Sequence, residues 1–160
     1  MKLVEAGDAY FAWMLEGEGA GTRDGLRLPS GGVDHPAVLA YLQRIAADLS
    51  DRPGGGSWLV VDDGEVAGLC GHKQRPTPEG DAEIGYGIVA SRRGRGLATA
   101  AVAALVDRAA RDAAIARLTA ETAVDNIASQ RVLEKNGFVR AGTRTDPEDG
   151  PLLLWWRAVR

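Results

Sequence analysis

A short apolar run, Ile84–Val89, passes through a loop of arginine and glycine, Arg92–Gly96, into an alanine-rich segment that begins at Leu97. The run is bounded by turn-forming residues, as a buried strand would be. Leu97, Ala101, Leu105 and Ala109 recur at helical spacing and mark one face of a helix. A strand entering a helix this way leaves the first helical N–H groups unpaired, beside the positive end of the helix dipole. Glycine lets an anion reach the backbone and arginine adds full charge, so the loop is suited to phosphate.

Several phosphate-binding loops are excluded by spacing. A Walker A loop needs a Lys-Ser/Thr pair after a four-residue gap, and none is present. Gly85-x-Gly87-x-x-Ala90 has a dinucleotide-like spacing, but it lies within the strand and opens no helix. A solvated basic turn on an ordinary strand–helix unit is the plain alternative.

The rest of the chain reads as one α/β domain spanning residues 1–160. Its net charge of −3 argues against general nucleic-acid binding despite the basic loop. The lone Cys70 permits no internal disulfide and no metal cluster, and it reads as a small buried residue. No apolar run suits a membrane span and no signal-peptide pattern is visible, so the cytoplasm is the default expectation.

A strand over Met1–Val4 is followed by a helix over Ala9–Glu16, with Asp8 as the expected cap. Gly17–Val33 reads as a mobile surface loop. Asp34 and Pro36 announce a helix over 35–50, in which Val38, Leu42, Ile45 and Leu49 keep helical spacing. Ser57–Asp62 and Glu65–Lys73 form a hairpin about Asp63-Gly64. After the central strand and helix come a strand over Arg117–Thr122 and a helix over Asn126–Asn136 that stops at Gly137. Phe138–Thr143 and Leu152–Ala158 close the chain as strands, and the apolar Leu152–Trp156 suits a strand covered on both faces.

Two segments then carry a resemblance. Arg93-Gly94-Arg95-Gly96-Leu97-Ala98 resembles the Arg/Gln-x-x-Gly-x-Gly/Ala signature of the GNAT N-acetyltransferases. Asn126-x-x-Ser129 followed by Glu134-Lys135-x-Gly137-Phe138 resembles that family's second conserved segment, closest to its ribosomal-protein-acetyltransferase-like branch. The resemblance covers roughly residues 82–139. It implies a mixed, mostly antiparallel sheet with helices on both faces and a splay between the fourth and fifth strands. It also implies acetyl-CoA as cosubstrate, without a metal. The amides of Gly94, Arg95, Gly96, Leu97, Ala98 and Thr99 would take the pyrophosphate, with Arg93 alongside. The backbone near Tyr86, Gly87 and Ile88 would pair with pantetheine. Independently of the resemblance, the Asn126 amide at the helix start can both cap the helix and hold a water or a cofactor group.

Acetyl transfer to an amine needs a base, charge stabilisation at the carbonyl oxygen and a proton for the departing thiolate. Glu83 and Glu121 lie on the right strands to serve as base, directly or through water. Where many relatives have a tyrosine acid this chain has Leu133, so Ser129 is the expected acid. Solvated strand-end charges and a helix-surface hydroxyl are the plain readings of these residues. The acceptor is a small-molecule amine or the amine of a protein or peptide, with no nucleic acid or membrane involved, and a homodimer stays open. A non-catalytic acyl-CoA-binding sensor and a nucleotide-binding regulatory module are the competing readings.

Overall fold

A computed structural model describes residues 1–160. The strands are β1 (Lys2–Glu5), β2 (Ser57–Asp62), β3 (Glu65–His72), β4 (Asp81–Ile88), β5 (Arg117–Ala123), β6 (Val139–Asp146) and β7 (Gly150–Ala158). The helices are α1 (Asp8–Glu16), α2 (Pro36–Asp48), α3 (Leu97–Ala109) and α4 (Ile127–Lys135). The strands form a 7-stranded sheet in the order β1-β2-β3-β4-β5-β7-β6. Every neighbouring pair is antiparallel except β4–β5.

Two apolar layers hold the sheet. On one face α3 and α4 bury Leu97, Val102, Leu105 and Leu133 against Val60, Ile84, Leu118 and Trp155. On the other, α1 and α2 bury Phe11, Met14 and Leu39 against Leu59, Val61 and Val66 of β2 and β3. The second layer covers only the first strands, so the same face of β4, β5 and β7 is left more open.

The local signals in the sequence operate as chemistry requires. Asp63 and Gly64 both take positive φ, 52° and 72°, which a tight two-residue hairpin demands. Gly137 sits at φ 77° after α4. Its N–H donates to Glu134 O and the Phe138 N–H donates to Leu133 O, which closes the helix with paired carbonyls.

Four expectations need correction. Asp8 does not cap α1: it is the first helical residue, Gly7 holds the cap position, and the Asp8 carboxylate accepts a bond from Gln43 of α2. Asp34 does not cap α2, because the residue before Pro36 is held extended and so becomes the cap. That residue is His35, whose Nδ1 accepts from Ala37 N at 3.0 Å. Gly17–Val33 is not a free loop. It opens with a 3₁₀ turn over Gly17–Ala20, buries Leu26, and docks Arg27 on the β2–β3 hairpin through bonds to Gly64 and Val66. Finally, β7 is covered unevenly rather than along both faces: Leu152 and Trp155, on opposite faces, are buried, while Leu153, Leu154 and Trp156 are only half-buried.

Candidate functional site

The site begins where β4 and β5 part. They pair only over Asp81–Glu83 and Arg117–Thr119, although β4 continues to Ile88 and β5 to Ala123. From Ile84 onward β4 therefore offers its backbone to a cleft on the β5 side, while its other edge stays bonded to β3. Tyr86, Gly87 and Ile88 lie on this unpaired length. An extended amide-bearing ligand can add itself there as a strand does.

The loop after β4 ends at the helix start. Gly94 and Gly96 take φ of 78° and 76°, and Gly96 caps α3 in the left-handed region without any side-chain bond to the first turn. The N–H groups of Leu97, Ala98 and Thr99 are thus left to an external acceptor. Arg95 is exposed, and Arg93 is exposed while its Nε donates to Ile88 O at 3.0 Å. Arg92 has a different task. It reaches back to Asp62 at 2.9 Å and Glu65 at 3.2 Å, tying the loop to the hairpin. Open amides, two exposed cations and an unpaired strand edge fit a diphosphate joined to an amide-containing arm.

Glu83 and Glu121 project from the open face on opposite sides of the splay, but their surroundings differ. Burial pushes the Glu83 carboxyl up, Lys73 pulls it back, and the neighbouring Glu121 adds to the rise. Lys73 Nζ stands 3.6 Å from Glu83 Oε1, too far for a hydrogen bond, and that oxygen has no partner. Arg144 of β6 grips Glu121 with both ends, at 2.5 and 3.0 Å, and holds its carboxyl below the ordinary range. One carboxylate is neutralised and fixed; the other is ill-solvated and has a free lone pair.

Across the cleft, Asn126 caps α4, its side-chain oxygen accepting from Ser129 N at 3.1 Å. The Ser129 hydroxyl lies 2.7 Å from the Tyr86 hydroxyl, which also donates to Ser129 O at 3.1 Å. This pair bridges β4 to α4. Leu133, one turn further, is fully buried in the core. Sequence reading named Tyr86 for its backbone and missed its hydroxyl. It also missed Arg144 and the pairing of Lys73 with Glu83. Strand alternation places Glu83 and Gly85 on one face of β4 and Tyr86 on the other, but the partners come from other elements: Lys73 from just past the end of β3, Ser129 from α4 and Arg144 from β6.

Two buried groups stand apart from this chemistry. Burial pushes the Cys70 thiol up to about 12. It also drives His72 down to about 4, and that ring packs edge-on against Trp58.

A cavity of about 940 Å³ opens between α2 and β4, bounded by Val38, Tyr41, Leu42, Lys73, Gly85 and Gly87 among others. No helix is long and apolar enough to cross a membrane.

Comparison with known proteins gives a family model, two curated relatives and two solved structures. A family model described as an acetyltransferase (GNAT) domain matches residues 8–139. An uncharacterised N-acetyltransferase, YjdG, of Bacillus subtilis (strain 168) is 32% identical over 104 residues, 64% of this chain and 62% of that protein. The ribosomal-protein-serine acetyltransferase of Escherichia coli (strain K12) is 28% identical over 53% of this chain and 48% of its own length. The matched stretch is thus less than two thirds of either curated relative. Among solved structures, aminoglycoside acetyltransferase AAC(6')-Ib in complex with coenzyme A superposes with a TM-score of 0.69 at 23% identity, covering 98% of this chain and 94% of that one. A RimL ribosomal-protein α-N-acetyltransferase in complex with coenzyme A gives 0.71 at 21%, covering 98% and 92%.

Proposed function

The chain belongs to the GNAT acetyltransferase family, and on that premise we propose that it is an N-acetyltransferase moving an acetyl group from acetyl-CoA to a primary amine by direct attack. The observation that carries this reading is the splay: an unpaired strand edge leading into an uncapped, glycine-opened helix start. The amides of residues 94–99 would hold the pyrophosphate, with Arg93 and Arg95 beside it. The β4 edge at Tyr86–Ile88 would align the pantetheine arm. Bound there, acetyl-CoA supplies an acetyl thioester.

The chain's own residues would then act as follows. Glu83, with its raised affinity for a proton and its free oxygen, takes a proton from the incoming ammonium. As the amine nitrogen bonds to the carbonyl carbon, the carbon–sulfur bond breaks. Ser129, held by Tyr86 and by the Asn126 cap, turns its O–H from the Tyr86 oxygen to the departing sulfur and is restored by the second proton that the amine nitrogen sheds, relayed through water. Burial raises the Tyr86 phenol, so it stays protonated and positions Ser129 without surrendering a proton. Glu121, tied to Arg144, shapes the charge around Glu83. The overall change is an ammonium and a thioester becoming an amide, a thiol and one proton.

The test is acetyl-CoA-dependent thiol release against a library of amines, with product identified by mass. Turnover with at least one amine supports the reading. Tight acetyl-CoA binding without turnover toward any amine favours the acyl-CoA sensor, for which the buried Leu133 in the acid position is the one supporting feature.

A further inference from the structure

Helix α2 carries more apolar surface than its packing uses. Leu39 and Ala46 are buried against the sheet and α1, together with Leu49 just beyond the helix end. A second stripe, Val38, Tyr41, Leu42 and Ile45, follows the i, i+3, i+4, i+7 spacing of a helix face. That stripe lines the cavity, with Leu42 also packed against the edge of the core. Val38 remains 40% and Tyr41 53% exposed. The opposite wall lacks side chains where β4 places Gly85 and Gly87. A methyl at Gly87 would meet nothing within 4 Å, and one at Gly85 would press on the Lys73 chain at 3.2 Å. The result is a slot with one apolar wall, one backbone wall and the Glu83–Lys73 pair beyond Gly85.

The charges around this slot are unfavourable to a polycation. With Arg93 beside the cosubstrate's pyrophosphate, Lys73 is the cation left bordering it, and the single lining carboxylate is the exposed Asp34, one oxygen of which accepts the His35 N–H at 2.7 Å. Of the two nearby glutamates, Glu121 is held by Arg144 and Glu83 faces Lys73. One ammonium can be received at Glu83. A second or third would lie beside Lys73 with only the solvent-exposed Asp34 to receive it, at a cost in affinity.

We infer that the acceptor is a monoamine on an apolar body, its amine at Glu83 and its body along the Val38–Tyr41–Leu42–Ile45 stripe. This rests on the acetyl-transfer reading and names the substrate class of that site. The shared chemistry is a single ammonium next to an aromatic or aliphatic group, supplied by an aralkylamine or by the amino terminus of a peptide with an apolar first residue.

The experiment compares phenethylamine, a carboxyl-blocked tripeptide beginning with phenylalanine, spermidine and kanamycin as acceptors by thiol release. The expected result is that phenethylamine or the peptide exceeds both polycations in kcat/KM by roughly tenfold or more. Which of the two leads identifies the source. Tyr41→Ser and Leu42→Ser should raise KM for that acceptor and leave the acetyl-CoA dissociation constant unmoved. Faster turnover of spermidine or kanamycin overturns the inference while leaving acetyl transfer intact. If every amine is inert, acetyl transfer itself fails, and calorimetry with the acetyl-CoA-loaded protein then reads the slot. Tighter binding of phenethylamine than of spermidine still supports the apolar site, and the reverse order overturns it.

Discussion

At the scale of single residues, Glu83 and Ser129 make separable predictions. Glu83 holds its proton to higher pH when folded than when unfolded, chiefly because it is buried. Its contribution to stability is therefore fullest below the unfolded value of about 4.3 and is lost as pH rises through the folded value. Glu83→Gln removes that penalty, so its thermal midpoint at neutral pH should equal or exceed the parent's. The same change should slow turnover by about 10²–10⁴. The parent's kcat/KM should show an acid limb above the ordinary glutamate value and then a plateau. The variant's should climb steadily toward an amine pKa of about 10 for a lysine-like acceptor. A pH profile of both proteins checks this. Glu121→Gln should cost less, because that carboxylate is occupied by Arg144. Tyr86→Phe and Ser129→Ala should each lower kcat, and the double variant should lose little more than either. Fully additive losses would show that the 2.7 Å hydroxyl pair is not a functional unit.

At the scale of elements, the loop–helix junction depends on backbone shape. Gly96 has room for a side chain, since a methyl would meet nothing within 4 Å, but its φ is 76°. Gly96→Ala should therefore cost about 1–2 kcal/mol of strain if the conformation is kept. If the loop relaxes instead, the amides turn from the anion. Either way, acetyl-CoA binding measured by calorimetry should weaken, with the thermal midpoint recording the strain. Proline fits worse still, because its φ is fixed near −65°. The α2 helix illustrates a related limit. Val38, Leu42, Ile45 and Leu49 share one helical spacing in the sequence. Only Leu49 is deeply buried, because the sheet beneath α2 ends in an open cavity rather than in side chains.

For the whole molecule, the sheet is continuous through β1–β4 and through β5, β7 and β6, with the two parts joined by the short β4–β5 pairing. A ligand bound along both β4 and α3 should stabilise the fold by mass action. With acetyl-CoA at about one hundred times its dissociation constant, the expected gain is roughly 2.7 kcal/mol. A thermal-shift series with acetyl-CoA, CoA, ATP and NAD checks it. A shift with NAD and none with acetyl-CoA would contradict the proposed cosubstrate.

The sequence alone determined what depends on neighbours in the chain. Positive-φ glycines mark the hairpin and the end of α4. Alanine periodicity marks α3, and Asn126 supplies a helix cap for a bond only three residues away. The fold class was legible because these local signals recur in an order that one layered sheet satisfies. What only the tertiary structure decided involves residues brought together from far along the chain. Arg144 claims Glu121 across 23 positions, and the hydroxyls of Tyr86 and Ser129 meet across 43. Two glutamates that look alike in the sequence thus acquire opposite proton affinities. Local sequence sets backbone preference, whereas desolvation and the distance to an opposite charge exist only after the strands have been laid side by side.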